Sequence, residues 1–290
     1  MFLIIIIVIA HRPCRTVANL LTCNTSIITG VYFISNLILS IYGLHEDWAV
    51  NQLVCTFRAY SFLMVRGSIC YAYLIQVISR LLFTVLSKYK YLVTYRVHWS
   101  FIALNWIIGI LFSIEPFFFD GGFGFEKESR LCILTSKTIS TFIYGIVIEF
   151  MVPLSISFVI YGIIFQGVHK SPRRIFVSTS ETGTSQMPSA RREIKIIKNM
   201  IMLEGIFGAG GTLFLTLVLW HILLPSSSPS EALYFLSINS MSLSIGLMMI
   251  AIFALNKQVK NIALGYIRSD RQRIHPVVTG RQQQLQLTRN

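Results

Sequence analysis

LVCTFRAYSFLMVRGSICYAYLIQVISRLLFT, residues 53–84, carries only three charges, Arg58, Arg66 and Arg80, and no proline. As a helix it would run about 48 Å, well past the roughly 30 Å hydrocarbon core of a bilayer. A segment this long and apolar on every side is a helix whose solvent is lipid. Similar apolar blocks fall near 1–10, 17–43, 99–119, 139–166, 196–224 and 231–255. Block 1–10 would reach only about 15 Å, half a span. It lacks a signal peptide's basic leading segment and small-residue cleavage site. It therefore reads as the back half of a first helix whose start precedes Met1. The expected fold is an all-α membrane protein, a seven-helix transmembrane bundle with its first helix incomplete.

Composition agrees. Hydrophobic residues make up 54% of the 290 and charged residues 13%, and the mean hydropathy is +0.65. A soluble domain carries about a quarter charged residues. The formal net charge of +13 would suit a nucleic-acid binder if it lay in one stripe. It lies in loops between apolar blocks, which reports membrane orientation and argues against nucleic acid.

The loops alternate in sign. His11, Arg12 and Arg15 follow block one; Lys88, Lys90, Arg96 and His98 follow block three. Lys170, Arg173, Arg174, Arg191, Arg192, Lys195 and Lys198 lie between blocks five and six, and a basic tail follows block seven. The other loops are acidic or mixed, with Glu46 and Asp47, then Asp120, Glu126, Lys127, Glu128 and Arg130, then Glu231. The positive-inside rule places the basic set in the cytoplasm, the amino terminus outside and the carboxyl terminus inside. The expected location is the plasma membrane, with lipid as a constant partner. Residues 167–192 read as a flexible loop rich in Ser, Thr, Gly and Pro. The tail 269–290 is polar, glutamine-rich and expected to be disordered. No internal repeat is present, which counts against a transporter built from paired halves.

Several anchors recur in order along the chain. Cys55 opens the third block and Arg80 follows 25 residues later in Ser79-Arg80-Leu81, about 38 Å of helix away. Asn19-Leu-Leu-Thr-Cys-Asn24, Trp48, Trp106 with Pro116, Pro153 with Tyr161, and Asn256-Lys-Gln-Val-Lys-Asn261 complete the set. In this order and spacing they resemble the rhodopsin-like (class A) G-protein-coupled receptors over nearly the whole chain. The resemblance implies a disulfide from Cys55 to Cys132 and structural roles for Trp48, Trp106, Pro116 and Pro153. It also implies a short eighth helix at about 256–268, making 1–268 one transmembrane domain. Cys14, Cys23 and Cys70 are expected to be free thiols.

The resemblance further implies a G-protein-coupling switch at Arg80, Ser79 and Tyr161, with a heterotrimeric G protein as partner. The chain departs from the family at these switch positions. Ser79 replaces the acid of the "DRY" motif and Leu81 its tyrosine; Thr29 replaces the sodium-binding aspartate. Met248-Met-Ile-Ala-Ile252 stands where "NPxxY" is expected, and Gly208-Ala-Gly-Gly-Thr212 where a tryptophan and a proline are. A Ser79 hydroxyl offers only a neutral hydrogen bond, roughly half as strong as the charge-assisted one it replaces. A loosely held resting state with raised basal activity follows.

Arg66, about 21 Å up the third helix from Arg80, and Glu149, one turn before Pro153, are charges at membrane depth. There an ionisable residue marks function by default, although a structural ion pair explains them equally well. Tyr60, Phe62, Leu63, Arg66, Glu149, Phe150 and Trp220 are the candidate ligand-cavity residues. Aromatics at helical spacing in a membrane more often serve packing. Phe62 stands where amine receptors carry an aspartate, which argues against a biogenic amine ligand. Glu204 is a further acid at membrane depth. No metal-ligand spacing, phosphate loop or nucleophile–base pair occurs, so neither an enzyme nor a cofactor or metal is expected. The competing readings are a receptor-like chain that no longer signals and, further off, a transporter.

Overall fold

The structure is a computed structural model that describes residues 4–6, 8, 16–44, 51–86, 88–119, 121–126, 130–135, 139–176, 187–224, 229–256 and 259–265. Residues 4–6 and 8 are helical (α1), and Ile4 and Val8 are buried in the main core. Then follow α2 (Val17–Leu44), α3 (Gln52–Thr84) and α4 (Tyr95–Phe112). A hairpin of β1 (Phe123–Glu126) and β2 (Leu131–Leu134) leads into α5, which runs as Ile139–Ile146, a π-helical turn Val147–Met151, and Val152–Phe176. Helices α6 (Met187–Leu223) and α7 (Glu231–Leu255) complete the bundle, and residues 259–265 form a further short helix (α8). Among the described residues, six helices are long and apolar enough to cross a membrane; α1 packs beside them as the seventh.

Local chemistry sets the helix ends. Asn51 caps α3 by accepting from the backbone N–H groups of Leu53 and Val54 (3.1 and 3.3 Å), and Ser230 caps α7 through Leu233 N. Helix α4 stops short of Pro116, which has no N–H to donate, and a 3-10 turn Glu115–Phe118 takes over. Helix α5 continues to Phe176 and α6 begins at Met187, so much of the loop expected at 167–192 is helix. Hydropathy marks only the lipid-buried part of a helix. Helix α6, about 56 Å long, carries its basic first turns beyond that zone.

Helix α3 is the axis. Sixty-one per cent of its apolar window is buried, against 28–39% in the other spans. Polar side chains tie the other helices to it and to each other, as lipid supplies no hydrophobic force between helices. Gln76 Nε2 donates to Thr25 Oγ1 (2.7 Å), Trp106 Nε1 to Asn24 Oδ1 (3.3 Å), and Asn256 Nδ2 to Asn19 Oδ1 (2.9 Å). Tyr32 and Ser242 share a hydrogen bond of 2.9 Å between α2 and α7. Ser237 and Ser240 of α7 donate to the α6 carbonyls of Leu213 and Gly210, both at 3.1 Å. The hairpin lies on the α3 end that carries Cys55, and Cys55 is disulfide-bonded to Cys132 of β2, with Cα atoms 5.3 Å apart.

Candidate functional site

Arg66 of α3 and Glu149 of α5 are joined. Arg66 Nη2 and Nε both donate to Glu149 Oε2, at 3.0 and 3.3 Å, and the side chains are 13% and 4% exposed. The π turn that holds Glu149 inserts one extra residue into α5 and turns the carboxylate inward. Such a turn displaces backbone carbonyls from their regular partners. The Tyr71 hydroxyl of α3 donates to one of them, Ile148 O, at 2.8 Å. A Cβ on Gly67 would stand 3.3 Å from Glu149 Cδ, so the glycine beside Arg66 gives the carboxylate its room.

Gly211 does the same for Phe150. A Cβ there would fall 2.7 Å from the Phe150 ring, which instead packs against Phe207 with centroids 5.2 Å apart. Within the Gly208–Thr212 segment, where the family carries a tryptophan and a proline, Gly211 thus leaves the space that Phe150 fills from α5, while Gly210 lies against Ser244 of α7.

Around the ion pair is a small cavity, lined also by Cys70, Ile146, Phe150, Phe214, Leu215 and Met241. The Arg66 guanidinium lies 5.2 Å from the Phe214 ring centroid, a cation–π distance. A second small cavity shares Phe150 and Cys70 with the first and is lined by Tyr73, Pro153, Ser157, Glu204, Phe207 and Met248 among others. There the Tyr73 hydroxyl and Glu204 Oε2 are buried without a hydrogen-bond partner.

Of the seven candidate ligand residues, the first cavity gathers Arg66, Glu149 and Phe150. Phe62 stacks on Tyr32 (5.5 Å) in the core, and Leu63 is buried there. Tyr60 faces Phe117, with centroids 5.5 Å apart, and Trp220 is 37% exposed on α6. Phe214 and Met241 were not singled out by sequence. Nothing distinguishes them from their apolar neighbours until α6 and α7 are docked. Pro153 lines the second cavity, Pro116 is buried after α4, and Trp48 and Cys14 lie outside the described residues. Cys23 and Cys70 are free thiols.

Toward the other end of α3, the Ser79 side chain turns to α4 and pairs with His98 Nε2 at 2.9 Å. His98 Nδ1 lies 2.9 Å from the Thr94 carbonyl and donates to it; in the neutral ring Nε2 then accepts from the Ser79 hydroxyl. His98, read from sequence as a loop residue, is fully buried in α4. Tyr161 is buried in a cluster with Tyr71, Leu74, Val77, Ile160 and Ile164.

Residues 2–253 match the family described as "7 transmembrane receptor (rhodopsin family)". The chain is 26% identical over 203 residues to a protein of Mizuhopecten yessoensis named "Rhodopsin, GQ-coupled", a match covering 64% of this chain and 40% of that protein. It thus spans about two-fifths of that relative's length. Squid rhodopsin superposes with a TM-score of 0.73 over 89% of this chain and 77% of the squid chain, at 15% identity, a likeness of fold.

Proposed function

This chain belongs to the rhodopsin family of seven-transmembrane receptors, and from that premise we propose that it transduces an extracellular small-molecule ligand to a heterotrimeric G protein. The observation that carries the reading is the paired, buried Arg66–Glu149 at the head of a cavity between α3, α5 and α6. Buried charge in a membrane is expensive, and a small apolar cavity with a few convergent polar groups is the usual form of a ligand site. The G-protein partner is supported by the name of the relative, a Gq-coupled rhodopsin. None of the six spans contains a lysine, so an imine-linked ligand has no amine to attach to and the ligand is held non-covalently. The family's molecules are receptors, and enzymatic chemistry has no part in the reading.

The coupling face is assigned to Arg80, Tyr161 and the basic segments flanking α5 and α6, on the cytoplasmic side by charge. The amino terminus is then outside, the carboxyl terminus in the cytoplasm, and the membrane the plasma membrane. Residues 1–268 serve as the transmembrane unit with α8 as its end, and 269–290 as a cytoplasmic tail.

Ser79 is hydrogen-bonded to His98 and supplies no carboxylate next to Arg80, and basal activity is expected. The test uses the full chain in lipid nanodiscs with purified heterotrimers of each Gα class. Nucleotide exchange above that of empty discs, lost in Arg80→Ala, supports the reading. Exchange equal to empty discs for every class favours a receptor-like protein that does not signal. The glycine run at Gly208–Gly211 and the altered Met248–Ile252 segment speak for that second reading.

A further inference from the structure

The connection from α3 to α4 alternates cations and rings. Residues 88–99 read Lys-Tyr-Lys-Tyr-Leu-Val-Thr-Tyr-Arg-Val-His-Trp, and no Asp or Glu occurs between Asp47 and Glu115. The segment is tied by its own backbone. Tyr89 N donates to Leu86 O (2.9 Å) and Leu92 N to Tyr89 O (3.0 Å). A 3-10 turn spans Lys90–Val93, and the Thr94 hydroxyl closes it on Tyr91 O (2.8 Å). Leu92 and Val93 are half-buried, whereas Lys88, Lys90 and Arg96 are exposed. Tyr89, Tyr91, Tyr95 and Trp99 are exposed as well, Tyr91 by 65% and Trp99 by 54%.

This surface runs on into one that faces lipid. Arg96, Trp99, Ala103, Ile107 and Ile110 follow one another at helical spacing along α4, and all are exposed. Charge and continuity together select the occupant. Cations at the end of a span favour an anionic leaflet, and Tyr and Trp rings settle at the level of its headgroups. A soluble anion would meet the cations and leave the apolar stripe to other molecules. A protein docked from the cytoplasm does not reach Ile107 or Ile110, about 18 and 22 Å along α4 from Tyr95. A molecule with an anionic head and an apolar chain meets both parts.

We propose, resting on the orientation given above, that this face of α4 and the turn before it hold an anionic phospholipid of the cytoplasmic leaflet. Its phosphate lies among Lys88, Lys90 and Arg96, Tyr95 and Trp99 flank its ester groups, and an acyl chain runs along Ala103, Ile107 and Ile110. A Lys or Arg near an anionic surface favours association about fivefold, so three of them make the face selective for anionic over zwitterionic lipid.

The experiment reads lipid contact by tryptophan fluorescence. The full chain carrying Ile107→Trp is reconstituted in vesicles of phosphatidylcholine and phosphatidylserine in equal parts. One of the two lipids has brominated acyl chains, which quench a tryptophan they touch, and the signal is taken as the difference from the unsubstituted chain. The expected result is a preference for phosphatidylserine of about fivefold or more at Ile107→Trp, the effect of at least one well-placed cation. Lys88→Gln, Lys90→Gln and Arg96→Gln together should bring the ratio to about one, and so should high salt on the unaltered patch, which needs no variant to fold. A second reporter, Leu243→Trp, stands as far into α7 from its Leu255 end as Ile107 does into α4, and is 65% exposed. The three substitutions should leave its ratio unchanged. Equal quenching by both lipids at Ile107→Trp, a preference that survives the substitutions, or an equal fall at both reporters overturns the proposal. Loss of nucleotide exchange in the substituted chain with no lipid preference at Ile107→Trp also overturns it and gives the surface to the G protein. Both leaflets have the same composition, so a reversed bundle would keep the preference and change only the leaflet to which the lipid belongs.

Discussion

Glu204 is 6% exposed on α6, and one of its carboxylate oxygens meets no partner among the described residues. A buried carboxylate left half-satisfied is destabilising, and replacing it with an apolar side chain of similar volume is neutral or favourable. Glu204→Met is expected to stabilise the fold by about 1–3 kcal/mol, read as a higher unfolding midpoint in nanodiscs. A lower midpoint would mean that Glu204 has a favourable partner, such as an ordered water, in the second cavity. At the switch, Ser79→Asp restores a carboxylate within the reach of this α3 turn, and basal nucleotide exchange is expected to fall while Ser79→Ala leaves it high. Unchanged or higher exchange in Ser79→Asp counts against the loosened resting state. The sequence flagged Arg66, Glu149 and Glu204 because charges are so few in the apolar blocks. It left Ser79's partner hidden, since the helical period of α4 alone does not tell which turn faces α3.

At the scale of elements, hydropathy recovered nearly every span to within a few residues. The block at 53–84 became Gln52–Thr84, and 231–255 became Glu231–Leu255. The reason is that lipid thickness and residue rise fix the length. What it missed has a different physical origin. The π turn at Val147–Met151 depends on contacts across helices, with Tyr71 binding Ile148 O and Gly67 leaving space for Glu149. Within α5 the one mark of it is Pro153, which has no N–H for the carbonyls of the turn; the contacts across helices are not written in a single-helix pattern. Tyr71→Phe removes one hydroxyl while keeping the ring, and should destabilise the protein by about 1 kcal/mol. It should also loosen the turn, so amide exchange at residues 148–151 is expected to quicken, measured by hydrogen–deuterium exchange. Protection unchanged from wild type would show that the turn holds itself without the hydroxyl.

For the molecule as a whole, two independent features support the proposed outer side. The Cys55–Cys132 disulfide joins α3 to the hairpin at one end of the bundle, and structural disulfides persist in oxidising compartments. The basic segments flanking α5 and α6 gather at the other, where the positive-inside rule puts the cytoplasm. Neither argument uses the other, because one rests on redox chemistry and the other on charge. Sidedness can be read with single-residue glycosylation acceptors, which are modified only in a lumenal or outer loop. Lys127→Asn completes an Asn-X-Ser acceptor with Glu128 and Ser129 in the hairpin connection. Val177→Asn completes an Asn-X-Thr acceptor with Ser178 and Thr179 between α5 and α6. The expected outcome in a eukaryotic host is a glycosidase-sensitive mass increase for Lys127→Asn and none for Val177→Asn. The reverse pattern would turn the bundle over, placing Arg66 and Glu149 in the cytoplasmic half and ending the case for an extracellular ligand. Modification of both variants would mean that the loop charges do not fix one orientation, and coupling through Arg80 would then hold for only part of the population.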